Sequence, residues 1–203
     1  MLNRSLDRRQ LLGLQLALVV LLAGGGARAA VSADAARELI ESVGVEVLAV
    51  LRNPDLAPQE KFDLLVELLD GPIDLNLIAR LILGRHWRTA SEAQQAEYLE
   101  LFRAFALDNL ASKLQVYDGQ DFEVVGSQSV NDRDALVQSL VSGAGQQPLK
   151  VDWRVRERGD GDLVAIDVII EGISLIVTQR SEFSAVIERS GMDGLLAELR
   201  QRV

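Results

Sequence analysis

The chain contains no cysteine, which excludes disulfides, thiol nucleophiles and zinc–thiolate sites. That absence does not fix a compartment, because an exported protein can fold without disulfides. Histidine occurs once, at His86 in Gly84-Arg85-His86-Trp87-Arg88. A catalytic histidine needs a positioned nucleophile and an orienting carboxylate, and no G-x-S-x-G elbow, P-loop or G-x-G-x-x-G supplies them. Beside a tryptophan, His86 reads as a packing or loop-anchoring residue. Acidic residues are plentiful but scattered, without EF-hand or histidine–carboxylate spacing, so neither metal nor cofactor is expected. Carboxylates that meet only on folding keep an enzyme reading open. Aromatic residues are only 4% of the chain, and beyond residue 29 no apolar run approaches transmembrane length.

What is present is aliphatic and acidic. The 203 residues suffice for one domain with a real core, and 48% of them are hydrophobic. A formal charge of −9 repels phosphate backbones, so no nucleic-acid partner is expected. Arg4, Arg8 and Arg9 precede the apolar stretch from Leu11 to Ala23, and Ala27-Arg28-Ala29 offers small residues for cleavage. This predicts a secretory signal peptide over residues 1–29 and a single domain over 30–203. Asp7-Arg8-Arg9-Gln10-Leu11-Leu12 partly resembles a twin-arginine signal, and the Sec and Tat routes both stay open. Residues 1–29 hold four arginines and one aspartate, so the mature chain carries −12. So acidic a protein should be soluble and stay off anionic bilayers unless a partner docks it.

Helical periodicity predicts four helices: Ser32 to Arg52, Pro58 to Leu69, Asp74 to Leu83, and Ser91 to about Leu114. Ser91-Glu92-Ala93-Gln94 fits a capping box. After Tyr117 the period falls to two, predicting strands over 122–130, 135–141, 149–158 and 163–177. Val151, Trp153 and Val155 alternate with Asp152, Arg154 and Arg156, one buried face and one wet face. A last helix, Ser181 to Arg200, closes the chain with a break expected near Gly191. The expected class is α+β: helices, a four-stranded antiparallel sheet, then a closing helix around an apolar pocket. The fourth strand is oily on both faces. Ile166, Val168 and Ile170 point one way, Ile169 the other, and past Gly172 the aliphatics resume. A helix, a ligand or a partner must cover its second face.

Val168-Ile169-Ile170-Glu171-Gly172-Ile173-Ser174-Leu175, followed by Arg180-Ser181-Glu182-Phe183, resembles the "D-V-x-V-E-G-V-S-L … R-S-x-F" signature of the MlaC family, also called toluene-tolerance auxiliary proteins. Leu83-Gly84-Arg85-His86-Trp87-Arg88-Thr89-Ala90 is similar to that family's "L-G-R-Y-W-R-x-A" element, and Gly191-Met192-Asp193-Gly194-Leu195-Leu196 to its "G-x-D-x-L-L" ending. The likeness runs in order through nearly the whole mature chain. His86 departs from the common tyrosine, and Leu163-Val164-Ala165-Ile166 lacks the family's Trp and Tyr. The resemblance implies a monomeric periplasmic phospholipid carrier without enzymatic chemistry. Its implied partners are an outer-membrane lipoprotein complex and an inner-membrane ABC transporter bearing an MCE-domain protein, and its implied role is maintenance of outer-membrane lipid asymmetry. Each buried CH₂ is worth about 0.8 kcal/mol, so exposing one acyl chain of roughly sixteen carbons costs on the order of 12 kcal/mol. Such a carrier must bury the chains and leave the headgroup wet.

On that reading the acyl-chain wall is Val151, Trp153, Val155, Ile166, Val168 and Ile170 of the sheet, with Leu81, Phe102 and Phe105 of the helices. Each alone reads first as plain core, because a lipid pocket is a core with a gap in it. Arg180 is the candidate phosphate ligand; the structural alternative, a pair with Glu171 or a cap on a carbonyl near the last helix, is the favoured one. Arg85 and Arg88 pose the same alternatives. Two other classes compete. An envelope adaptor would bind protein through an apolar sheet face, and an envelope hydrolase would gather carboxylates with perturbed pKa values in its cavity.

Overall fold

In the computed structural model, which describes residues 31–203 except 116, 144–146 and 160, capping residues set the helix starts. The expected leader lies outside the described residues. Helix α1 (Ala33–Arg52) begins at Ser32, whose hydroxyl accepts from the Ala35 amide at 3.3 Å. Helix α2 (Pro58–Leu69) has proline at its first turn, and Glu60 accepts from the Ala57 amide. Asp74 caps α3 (Leu75–Leu83) through the Leu77 amide at 2.8 Å. A 3₁₀ turn (Gly84–Arg88) leads to α4 (Glu92–Gln115). The capping box is in place there: Gln94 N donates to Ser91 Oγ, and Ser91 N donates to Gln94 Oε1.

The sheet is an antiparallel meander of β1 (Asp121–Ser129), β2 (Asp134–Ser142), β3 (Leu149–Glu157), β4 (Leu163–Ile170) and β5 (Ile173–Ser174). It has five strands where the sequence predicts four. The single strand expected over 163–177 instead reverses at Glu171 and Gly172 (φ 49° and 82°), pairs for two residues, and enters α5 (Leu175–Arg202). The physical reason is a cap. Asp167 accepts from Ser174 Oγ at 2.5 Å and from the Ile176 amide at 3.1 Å, and Ser174 Oγ accepts from the Val177 amide. These bonds satisfy helix donors that a continuing strand would leave without them. Helix α5 kinks at Gly191 (φ 71°), as the sequence pattern predicts.

Register decides the faces. Val151, Trp153 and Val155 sit opposite Ile170, Val168 and Ala165, because a bulge between Arg154 and Val155 skips Ile166. Ile166 is therefore out of the expected parity, although it is buried. Helix α1 lies on β1 and β2, packing Ala36 and Ile40 against Val124, Ala135, Val137, Val155 and Ala165. Gly44 allows this approach, since a Cβ there would stand 2.5 Å from the Phe122 ring. On the face away from α1, Asp152, Arg154 and Arg156 of β3 are polar, as expected, but Leu136, Leu140, Val164 and Ile169 share that face, which is not simply wet. Asp134, Asp152 and Asp167 are buried on it. Asp134 is held by Arg156 in a bidentate pair (2.6 and 2.9 Å) and Lys150 lies 3.3 Å from Asp152. Residues two apart on a strand share a face, so the stems of Lys150 and Arg154 flank Asp152.

Candidate ligand-binding site

The apolar interior is two cores, not one. The first joins α1 to the sheet, as above. The second is helical: Ala79, Ile82 and Leu83 of α3, Tyr98 and Phe102 of α4, and Ile176, Phe183, Val186, Leu195, Leu196 and Leu199 of α5. Both clusters border β4, where α3 and α5 reach the sheet. Aromatic rings organise the helical core. Tyr98 meets Phe102 at 5.8 Å and Phe183 edge-on at 6.2 Å, and Phe105 lies 6.3 Å from both Phe102 and Phe183. Burial pushes the Tyr98 phenol pKa up, and its hydroxyl donates to the Ala79 carbonyl at 3.1 Å.

The candidate acyl-chain residues divide between these cores. Val151 and Val155 are buried on the α1 side of the sheet. Trp153 is half-buried, edge-on to Phe122 at 6.3 Å, with its indole N–H donated to Ser139 Oγ. Val168 and Ile170, opposite Trp153 and Val151, are also half-buried. Phe102 is buried in the helical core, while Leu81 and Phe105 are half-buried at its margin. The structure thus brings Trp153, Val168 and Ile170 together on the sheet and Leu81, Phe102 and Phe105 together on the helices. Half-buried apolar side chains also recur on α1 (Val47, Leu48, Leu51) and α2 (Phe62, Leu68, Leu69).

Two open clefts accompany the cores. One, of about 450 Å³, lies between α2 and α4 and is lined by Phe62, Val66 and Leu107 with Asp63, Glu67, Asp70 and Arg103. The other, of about 530 Å³, lies where α3, the 3₁₀ turn and α5 meet, and Arg80, Arg85, His86 and Arg180 line it. Arg180 donates from Nε and Nη2 to the Leu81 carbonyl at 3.1 and 2.6 Å. Glu171 is engaged elsewhere, accepting from the Lys150 amide at 2.7 Å. Arg85 pairs with Glu188 at 2.7 Å, and His86 is half-buried beside it. The carboxylate with a displaced pKa is not in either cleft. Burial would push Asp134 up, but hydrogen bonds from Arg156 and Asn131, with the charges of Arg156 and Arg154, hold it below the usual range.

One helix on the face of an antiparallel meander and a helical core reaching its β4 edge, with half-buried apolar side chains at the margin of each, describe an α+β protein with two apolar cores. The family model described as "MlaC protein" matches residues 41–201, so the chain belongs to the MlaC family. Among solved structures it is similar to a phospholipid-binding protein from Ralstonia solanacearum, determined in complex with a phospholipid. That likeness has a TM-score of 0.72 and 26% sequence identity, and covers 82% of this chain and 96% of the other. Among the described residues, no helix is long and apolar enough to cross a membrane.

Proposed function

We propose that this protein is a periplasmic phospholipid carrier, exported by a leader over residues 1–29 and folded as one domain over 30–203. It takes up lipid at one membrane, shields the acyl chains, and delivers the lipid at the other, sustaining outer-membrane lipid asymmetry. An outer-membrane lipoprotein complex and an inner-membrane ABC transporter with an MCE-domain protein are the partners at either end. Cargo is carried unchanged, without a cofactor.

The observation that carries this reading is the pair of apolar cores with half-buried margins: Trp153, Val168 and Ile170 on the sheet, Leu81 and Phe105 on the helices. A domain with no cargo gains most by merging such margins into one dry core. A domain that must admit and release a chain keeps them separable. Membership of the MlaC family and the phospholipid in the Ralstonia relative support the same conclusion.

The adaptor reading has one observation of its own. Ile173, Leu175 and Val177 are exposed together around the β5 turn. Three exposed side chains at one turn do not explain the two-core interior, and a carrier also needs places to dock.

The test is lipid uptake. Protein incubated with vesicles containing a fluorescent phospholipid, then separated by size, should carry label. Ile170→Asp, which puts a charge at a half-buried margin, should lower the uptake several-fold while far-UV circular dichroism is unchanged. Label that stays wholly with the vesicles contradicts the carrier reading.

A further inference from the structure

We propose that the cleft between α3, the 3₁₀ turn and α5 is a phosphate-binding site. It takes either the phosphodiester of a carried phospholipid or a free phosphate anion, and for the lipid source it rests on the carrier reading above. The argument is one of uncompensated charge. The chain has 30 acidic residues against 21 arginines and lysines, yet Arg80, Arg85, His86 and Arg180 line one cleft that no acidic residue lines.

Two of the three arginines are held by neutral groups. The Arg80 guanidinium lies 5.1 Å from the centroid of the Trp87 ring. Arg180 is fixed by its two hydrogen bonds to the Leu81 carbonyl. Both contacts restrict the side chain without cancelling its charge. Among the described residues, only Arg85 of the three has a carboxylate partner, Glu188. The cap on the C-terminal end of α3 does not account for this surplus, because a helix end presents only about half a negative charge. About one and a half positive charges remain for an anion.

Local structure builds the cleft. Gly84 (φ 55°, ψ −119°) ends α3 and turns the chain, so Arg85 follows Arg80 around one corner. A Cβ on Gly84 would face the Arg180 Nε at 3.7 Å. Arginine forks suit phosphate oxygens, and all three are exposed enough to reach them. Leu81 belongs both to this cleft and to the margin of the helical core. A headgroup bound here would therefore leave its acyl chains beside apolar side chains.

The test titrates lipid-depleted protein with inorganic phosphate and, separately, with a short-chain phosphatidylglycerol below its micelle concentration, following the ¹⁵Nε signals of the arginines. Arg80, Arg85 and Arg180 should shift together. Arg80→Gln/Arg85→Gln, which leaves Arg180 on the Leu81 carbonyl, should weaken binding about tenfold or more. Added salt should weaken it too. Shifts with both ligands identify the headgroup as a source; shifts with inorganic phosphate alone identify the free anion. Unmoved arginine signals with both ligands, or unchanged affinity in the double variant, overturn the proposal. If vesicle lipid is still taken up in that case, the carrier reading stands without this site. If phosphate binds but no lipid is ever taken up, the carrier reading fails and the anion site stands.

Discussion

Arg180 shows how far a single residue can be read from sequence. Its neighbourhood, Arg180-Ser181-Glu182-Phe183, singles it out as a charged group in a family-like element, and a carbonyl cap is one of the roles open to it. Which carbonyl it caps depends on α3 and α5 meeting across 99 residues, information no local pattern carries. Ser91 and Gln94 are the opposite case, because a capping box is local and its residues lie three apart. Asp134 was invisible as a buried ion until the register set it beside Arg156. Its lowered pKa makes a pH prediction. A carboxyl with a folded pKa below its unfolded value stabilises the fold above the unfolded value, near pH 3.9, and loses that contribution as pH falls through the folded pKa. Asp134→Asn should cost about 3 kcal/mol at pH 7, the low end for breaking a buried pair, because Arg156 keeps some contact with water. In urea unfolding the gap between wild type and variant should narrow steadily below pH 4. A gap of equal size at pH 7 and pH 2.5 would show that the ion pair is not its origin.

Elements were legible where the period was long and the ends were marked. Pro58 and Leu69 bound α2 as the pattern predicts, and α1 and α3 differ only in that the first predicted residue is the cap. The region after Gly172 was misread because Ile173, Leu175 and Val177 fit a strand period, whereas the deciding bonds come from Asp167, on the preceding strand. A short aliphatic run has no period of its own to settle the matter. The consequence is testable at this scale. Asp167→Ala removes the acceptor for Ser174 Oγ and for the Ile176 amide and should cost about 2 kcal/mol. Amide exchange in Ile176 and Val177 should quicken more than in Leu195 or Leu199. Uniform quickening throughout α5 would instead mean that Asp167 supports the whole helix by packing.

For the whole molecule, the class α+β and the order of its parts were readable, because helical and strand periods occupy separate stretches of the chain. Division of the interior into two cores was not readable. Val151 and Val168 have the same aliphatic character, yet one is buried and the other half-buried. A lipid slot and a dry core are built from the same residues, so composition alone cannot distinguish them. Occupancy can. Native mass spectrometry of protein purified without detergent, followed by denaturation and lipid extraction, measures it directly. The account predicts a mass excess near one phospholipid per chain, released on denaturation and recovered in the extract. An unliganded mass that persists after incubation with phospholipid vesicles would contradict it.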